Sequence, residues 1–161
     1  MQTNGKGIHI DFCAMVPSQV YCSLQNEEER EALMDIGNLI IGGGAVSKEL
    51  ANELKSFPNA VWSTYGMTET LSHIALRRLS GSEATDYYSP FDGVSLSVDA
   101  DNCLIINAPA VCAETLHTND VIEFHPADAH LPADARKRFR ILGRRDNVIC
   151  CGGIKLQIEE I

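Results

Sequence analysis

The chain has 161 residues, of which 45% are hydrophobic and 22% charged, a globular composition that excludes wholesale disorder. Thirteen Lys and Arg against 22 Asp and Glu leave a formal net charge of −9. That excludes binding to nucleic acid or an anionic membrane through a global positive field. Arg136-Lys137-Arg138 reads as a solvated loop. No apolar run approaches the roughly 20 residues of a membrane helix. The first residues lack the layout of a signal peptide, so a cytoplasmic location is expected. The six cysteines fit reduced, space-filling thiols: none forms Cys-x-x-Cys, and Cys150-Cys151 are adjacent.

Gly7 to Ala14 carries apolar residues on alternate positions and predicts a strand. Pro17 opens a helix where a missing N–H costs nothing. Glu27 to Ile36 predicts a second helix, with Asn26 as cap, acidic residues in the first turn and Gly37 as the stop. Asn38-Leu39-Ile40-Ile41 reads as a short buried strand and leads into Gly42-Gly43-Gly44. Ser47 caps a helix to about Phe57, and Ala60-Val61-Trp62-Ser63 is another buried strand. This alternation predicts an α/β fold with a mostly parallel sheet and flanking helices.

From about Ser72 short alternating runs replace the helical period, at 73–76, 94–98, 103–106, 121–124 and 139–142. Asp101-Asn102 between two such runs signals a hairpin. This half is expected to form a small antiparallel, β-barrel-like subdomain. The expected division is an α/β part over 1–75, the small β subdomain over 76–145, and a terminal segment over 146–161. That last segment reads as strand, turn, strand and the opening of a helix. A domain rarely ends there on an apolar Ile161, so the chain is expected to be a piece of a longer protein.

Four stretches carry residues suited to chemistry. Tyr65-Gly66-Met67-Thr68-Glu69-Thr70 follows a buried strand and precedes an expected helical stretch, and the C-terminal edge of a parallel sheet is where open α/β proteins place ligands. Thr68 offers a hydroxyl to a phosphate, Glu69 a hard carboxylate to Mg²⁺, and Tyr65 a flat ring to a purine. Gly66 permits a close backbone approach or a positive φ. The other reading is a turn with a helix cap. Gly42-Gly43-Gly44 exposes backbone polar groups, or is only a tight turn; it is not a Walker loop. Thr118-Asn119-Asp120 lies between strand-like stretches, and Asp120 can accept from both ribose hydroxyls. Gly143-Arg144-Arg145-Asp146 ends another stretch, and Arg144 offers a forked cation to a ribose or phosphate. A plain turn is the alternative at both places. His125 and His130 are spaced across a Pro in a polar loop, a poor metal signal.

In combination and order, these motifs resemble the acyl-adenylating superfamily: acyl- and aryl-CoA ligases, firefly luciferase and peptide-synthetase adenylation domains. Tyr65 to Glu69 resembles its Tyr-Gly-x-Thr-Glu motif. His117-Thr118-Asn119-Asp120 resembles its Thr-Gly-Asp motif, with Asn119 in place of Gly. Phe139 to Asp146, with Gly152-Gly153 and Ile158-Glu159-Glu160-Ile161, resembles its hinge motif. The likeness covers nearly the whole chain. Met15-Val16-Pro17-Ser18-Gln19-Val20 and Gly42-Gly43-Gly44-Ala45-Val46 are further similar to the o-succinylbenzoate–CoA ligases of menaquinone biosynthesis.

The resemblance implies a piece of the acyl-adenylating N-terminal domain. It implies an enzyme in which a small-molecule carboxylic acid attacks the α-phosphate of Mg·ATP, and CoA then displaces AMP. Thr68 would contact the α-phosphate and Glu69 would hold Mg²⁺. Tyr65 would stack near adenine, with Gly66 and Met67 in the same nucleotide-binding stretch. Asp120 would hold the ribose, supported by Arg144. Gly42, Gly43 and Gly44 would border the adenine and acyl pockets. Asp146 would be the hinge of a C-terminal lid, and Gly152 and Gly153 would form the loop that meets CoA. Ser72 and His73 are acyl-pocket candidates.

Asn119 departs from the motif's Gly; Asn tolerates left-handed backbone, so the turn is expected to survive. The phosphate loop ending in Lys and the domain with a catalytic Lys that the resemblance implies are not found within these 161 residues, and both are expected to belong to the rest of a longer protein. The chain alone is therefore expected to complete neither half-reaction. An exposed apolar surface is also expected, and with it self-association or a homo-oligomer. Two alternatives stand beside this: a ligase for another aryl or fatty acid, and a non-catalytic binding domain of the same fold.

Overall fold

The structure, a computed structural model, describes residues 9–132 and 136–146, together with the backbone course of 148–151 and 154–157. Strands β1 (Phe12–Met15), β2 (Asn38–Ile41) and β3 (Ala60–Gly66) lie side by side and parallel. Helices α1 (Pro17–Leu24) and α2 (Glu27–Met34) join the first two strands, and α3 (Lys48–Leu54) joins the next pair. Both crossovers step the same way across the sheet, and connections of one hand then place all three helices on one face. There Val20, Leu24, Leu33, Leu50 and Leu54 pack on Leu39, Ile41 and Val61. Side chains of this size contribute about 1.5–3 kcal/mol each when fully buried.

Local chemistry sets the helix starts. Asn26 accepts the Glu29 N–H at 3.2 Å and Ser47 accepts the Leu50 N–H at 3.1 Å, caps worth about 1 kcal/mol each. Before α1, the Gln19 side chain reaches back to accept the Val16 N–H at 2.9 Å. Helices α2 and α3 stop short of Ile36 and Phe57, which turn inward as buried residues of the connections.

Among the described residues the opposite face of these strands has no such cover. Phe12 is 58% exposed and Ala14 is exposed, while Ile40, Trp62 and Leu76 are half-buried. Arg78 lies 4.9 Å over the Trp62 ring.

The expectation of a mostly parallel sheet needs correction. Strand β4 (His73–Arg78) runs antiparallel to β3, and the two-residue β5 (Ser89–Pro90) runs antiparallel to β4. The sheet is mixed, in the order β1-β2-β3-β4-β5. The reason lies between Gly66 and His73. A crossover needs a dozen or more residues, whereas a short connection can only return the chain antiparallel. The expected helical stretch there is a single 3₁₀ turn, Thr68–Thr70. Gly66 makes that reversal possible: a Cβ on it would lie 2.5 Å from His73 Cα and strike the Ser72 carbonyl.

Strands β6 (Ser95–Val98), β7 (Cys103–Asn107), β8 (Leu116–Phe124) and β9 (Phe139–Arg144) form a second, antiparallel sheet in chain order. At the β6–β7 hairpin Asp99 accepts N–H groups from Asp101 and Cys103, and Asn102 takes φ +61°. Those backbone donors, Cys103 first, hold the Asp99 carboxyl below its ordinary pKa. Among the described residues β6 does not pair with β9, so the barrel-like closure is not seen; the outer side of β9 is instead bridged at Phe139 to Tyr88. Strands β10 (Val148–Cys151) and β11 (Ile154–Gln157) pair as a separate antiparallel hairpin.

The two larger sheets share a second core. Tyr65, Ile74, Ala75 and Tyr88 from one side pack with Leu96, Leu104, Ile106, Ile122 and Phe139 from the other. Tyr88 and Phe139 also exchange backbone hydrogen bonds of 2.7 and 3.0 Å. Among the described residues no helix is long and apolar enough to cross a membrane.

Candidate functional site

The C-terminal ends of β2 and β3 face β8 and β9 across a cleft of about 690 Å³. It brings together Gly43, Gly44, Tyr65, Gly66, Met67, Thr68, Glu69, Asp120 and Arg144, which the sequence distributes over four stretches. Gly42 stands behind them: a Cβ there would lie 2.5 Å from Thr64 Oγ1. Ser72 and His73 line an adjoining cavity of about 340 Å³, with Gly43, Gly66 and Leu71. Gly152 and Gly153 lie outside the described residues. Thr118–Asp120 sits inside β8 and Arg144 ends β9, rather than occupying loops.

Asp120 is the centre of the arrangement and is buried. Its Oδ2 accepts the Tyr65 hydroxyl at 2.6 Å, and its Oδ1 accepts from an Arg144 terminal nitrogen at 2.9 Å. Its own N–H donates to Thr118 Oγ1 at 3.1 Å. The other edge of the Arg144 guanidinium donates twice to Asp146, at 2.9 and 2.8 Å. Burial first, and the Asp120 charge second, push the Tyr65 phenol far above its ordinary pKa. Tyr65 is therefore a permanent hydrogen-bond donor. Its ring packs edge-on against Phe139 at 5.3 Å and beside Tyr88 at 6.0 Å. A carboxylate has about four acceptor sites, so Asp120 can still receive hydroxyl donors from a ligand.

The lip opposite Asp120 is the 3₁₀ turn. Thr70 is fully buried; its Oγ1 accepts the Met67 N–H at 3.1 Å and lies within 3.0 and 2.7 Å of the Met67 and Ser72 carbonyls. Thr70 pins the turn, and Thr68 and Glu69 stand exposed on it. Leu71 then takes φ +61° with its side chain 79% exposed, a strained conformation for a residue with a branched side chain.

Among the described residues no cluster of three or more His, Cys, Asp or Glu would hold a metal unaided. Mg²⁺ commonly binds through one or two carboxylates together with waters and substrate phosphates. An exposed Glu69 at the lip of a nucleotide-sized cleft suits that mode.

Sequence reasoning missed Thr64 and Tyr88, and quoted His117 and Ile141 within motif stretches without giving them a role; all four also line the cleft. Tyr88 lies where no alternation marks a strand, and its place follows from a long-range contact: its hydroxyl is 2.8 Å from Ser63 Oγ. His117 adjoins Thr118 and was within reach of the motif itself.

No protein-family model matches the chain. Over 153 residues it is 24% identical to the 2-succinylbenzoate–CoA ligase of Salmonella typhimurium, covering 92% of this chain and 32% of that protein. A solved acyl-CoA synthetase (AMP-forming)/AMP-acid ligase II-like protein from Dyadobacter fermentans is 34% identical. It superposes with a TM-score of 0.71 over 97% of this chain and 42% of that one. The o-succinylbenzoate coenzyme A synthetase of Bacillus subtilis, solved with ATP and magnesium ion, is 18% identical with a TM-score of 0.61. That likeness covers 92% of this chain and 34% of the other, and shows the fold alone. The chain thus resembles AMP-forming acyl-CoA synthetases in sequence and fold over nearly its whole length. Within that class its similarity extends to o-succinylbenzoate–CoA ligases. It spans less than half the length of each of these relatives.

Proposed function

We propose that the cleft binds the adenylate part of Mg·ATP and of an acyl-AMP, serving an ATP-dependent acid–CoA ligase. The observation that carries this reading is Asp120, buried yet open to further donors, held by Tyr65 and Arg144 opposite the Thr68–Glu69 lip. Asp120 accepts from the two ribose hydroxyls. Arg144 adds a fixed positive charge beside it. Thr68 donates to an α-phosphate oxygen, where charge builds as the carboxylate attacks phosphorus and pyrophosphate leaves. Glu69 holds Mg²⁺, which neutralises phosphate charge when bound. The backbone of Gly43 and Gly44 borders the base and the acyl group. The same site releases AMP when the CoA thiol attacks the acyl carbon. Residues 1–75 and 76–145 form the two parts of this nucleotide-binding unit, and Asp146 begins the hinge segment of 146–161.

The adjoining cavity takes the acid. Ser72 Oγ lies 3.1 Å from His73 Nδ1, and the His73 ring meets Phe91 edge-on at 5.5 Å. Two polar groups on the rim, with the His73 ring steadied by Phe91, suit an acid with a second carboxylate, such as o-succinylbenzoate in menaquinone biosynthesis. Another aryl or fatty acid is the second reading, favoured by the 34% identity to a protein described only as acyl-CoA synthetase-like.

Calorimetric titration with AMP and with non-hydrolysable acyl-adenylate analogues tests both levels. An o-succinylbenzoyl analogue should bind more than about tenfold tighter than AMP, about 1.4 kcal/mol. A fatty-acyl analogue that binds tightest would transfer the assignment to the second reading. No binding by any adenylate would remove the ligase reading altogether.

A further inference from the structure

Asn119 stands where the resemblance has glycine, yet its backbone needs no special freedom. It lies within β8, and it is absent from the residues of positive φ, so the expected left-handed turn is not there. The side chain is instead used at both ends. Its Nδ2 donates to Asp146 Oδ2 at 2.9 Å, and its Oδ1 accepts from Arg145 at 2.9 Å. A donor on a carboxylate and an acceptor on a guanidinium together define which end of the amide is which. The Asn119 carbonyl also accepts the Arg145 N–H at 2.8 Å.

These bonds feed into the cleft. Asp146 grips one edge of Arg144 with both oxygens, and the opposite nitrogen of Arg144 reaches Asp120. A planar guanidinium gripped along one edge has its plane set, and so its third contact is aimed. The relay runs from Asn119 to Asp146, to Arg144, to Asp120, where Tyr65 meets it from the other sheet.

We propose that Asn119 is a positioning residue of the nucleotide cleft: by fixing Asp146 it orients Arg144 and, through it, the carboxylate of Asp120. The functional half rests on reading Asp120 and Arg144 as the nucleotide-contacting pair; the positioning half rests on geometry alone.

The test compares Asn119→Ala and Asn119→Asp with the unaltered chain. The aspartate variant keeps an acceptor for Arg145 and loses the donor to Asp146. One readout is the ¹⁵N-resolved Arg144 Nε–H resonance and its exchange with water. The other is AMP affinity by calorimetry. Both variants should lose protection at Arg144 Nε–H and bind AMP roughly three- to tenfold more weakly. Asn107→Ala, which removes an exposed 3.3 Å bond to Thr115, should change neither. An unchanged Arg144 resonance in both variants overturns the proposal. So does an aspartate variant that behaves like the unaltered chain, because the Asp146 arm would then carry nothing. If the unaltered chain does not bind AMP, the nucleotide reading falls, and the Arg144 resonance still decides the positioning role.

Discussion

The Tyr65 hydroxyl donates to Asp120 across 2.6 Å and ties the last turn of the parallel strands to the middle of the antiparallel sheet. Tyr65→Phe keeps the ring against Phe139 and removes the donor. Asp120 then stays buried with a lost partner. We expect a stability loss of about 1–3 kcal/mol in denaturant unfolding. AMP affinity should fall by about tenfold, the value of a hydrogen bond to a charged group. Wild-type values in both measurements would mean that the pair contributes nothing.

Gly66 and Gly143 make opposite predictions for one added methyl group. At Gly66 a Cβ meets backbone at Ser72 and His73, which cannot move aside as a side chain can. Gly66→Ala should cost more than about 2 kcal/mol. At Gly143, in β9, none of the described residues lies within 4 Å of the added atom. Gly143→Ala should be neutral or stabilise by up to about 1 kcal/mol, because it restricts the unfolded chain. Equal effects at the two sites would contradict the close approach.

Arg138 donates to the buried Asp128 from Nε at 2.7 Å, from a terminal nitrogen at 3.0 Å and from its backbone N–H at 3.1 Å. These contacts, the side-chain bonds first, lower the Asp128 pKa from 3.8 to about 2. The folded state therefore prefers the charged carboxylate. Its contribution to stability is fully present above 3.8 and is lost as pH falls toward about 2. Asp128→Asn should flatten the stability-versus-pH curve in that window. A variant as acid-sensitive as the parent would assign the loss to other carboxylates.

Glu69 is exposed, on the 3₁₀ turn that the buried Thr70 holds in place. Glu69→Gln should leave the melting temperature within about 1–2 °C, as for most surface changes. It should remove the Mg²⁺ dependence of ATP binding while AMP affinity changes by less than about twofold. Retained Mg²⁺ dependence would move the metal to another carboxylate.

The helical half was legible because its signals are local. Asn26, Ser47 and Pro17 each act within one turn, and the short apolar runs at 38–41 and 60–63 mark the strands between turn residues. The antiparallel return of β4 was not legible. Thr68-Glu69-Thr70 carries the same residues as a helix start, and only the contact of Gly66 with His73 makes it a reversal. The cleft followed the same rule. Its motif residues were readable, whereas Tyr88 enters through its bridge to Phe139 and core packing with no pattern of its own. Asn119 was legible as a departure, but its use was not, since Arg145 and Asp146 meet it only through the β8–β9 register.

The central claim is that an adenylate occupies the cleft between the two sheets. It is tested most directly by titrating AMP into the ¹⁵N-labelled chain and following every assigned amide. The account predicts saturable shifts concentrated at 43–44, 65–69, 118–120 and 143–144. Saturable shifts centred elsewhere, or none up to roughly millimolar AMP, where binding is worth only about 4 kcal/mol, would contradict it.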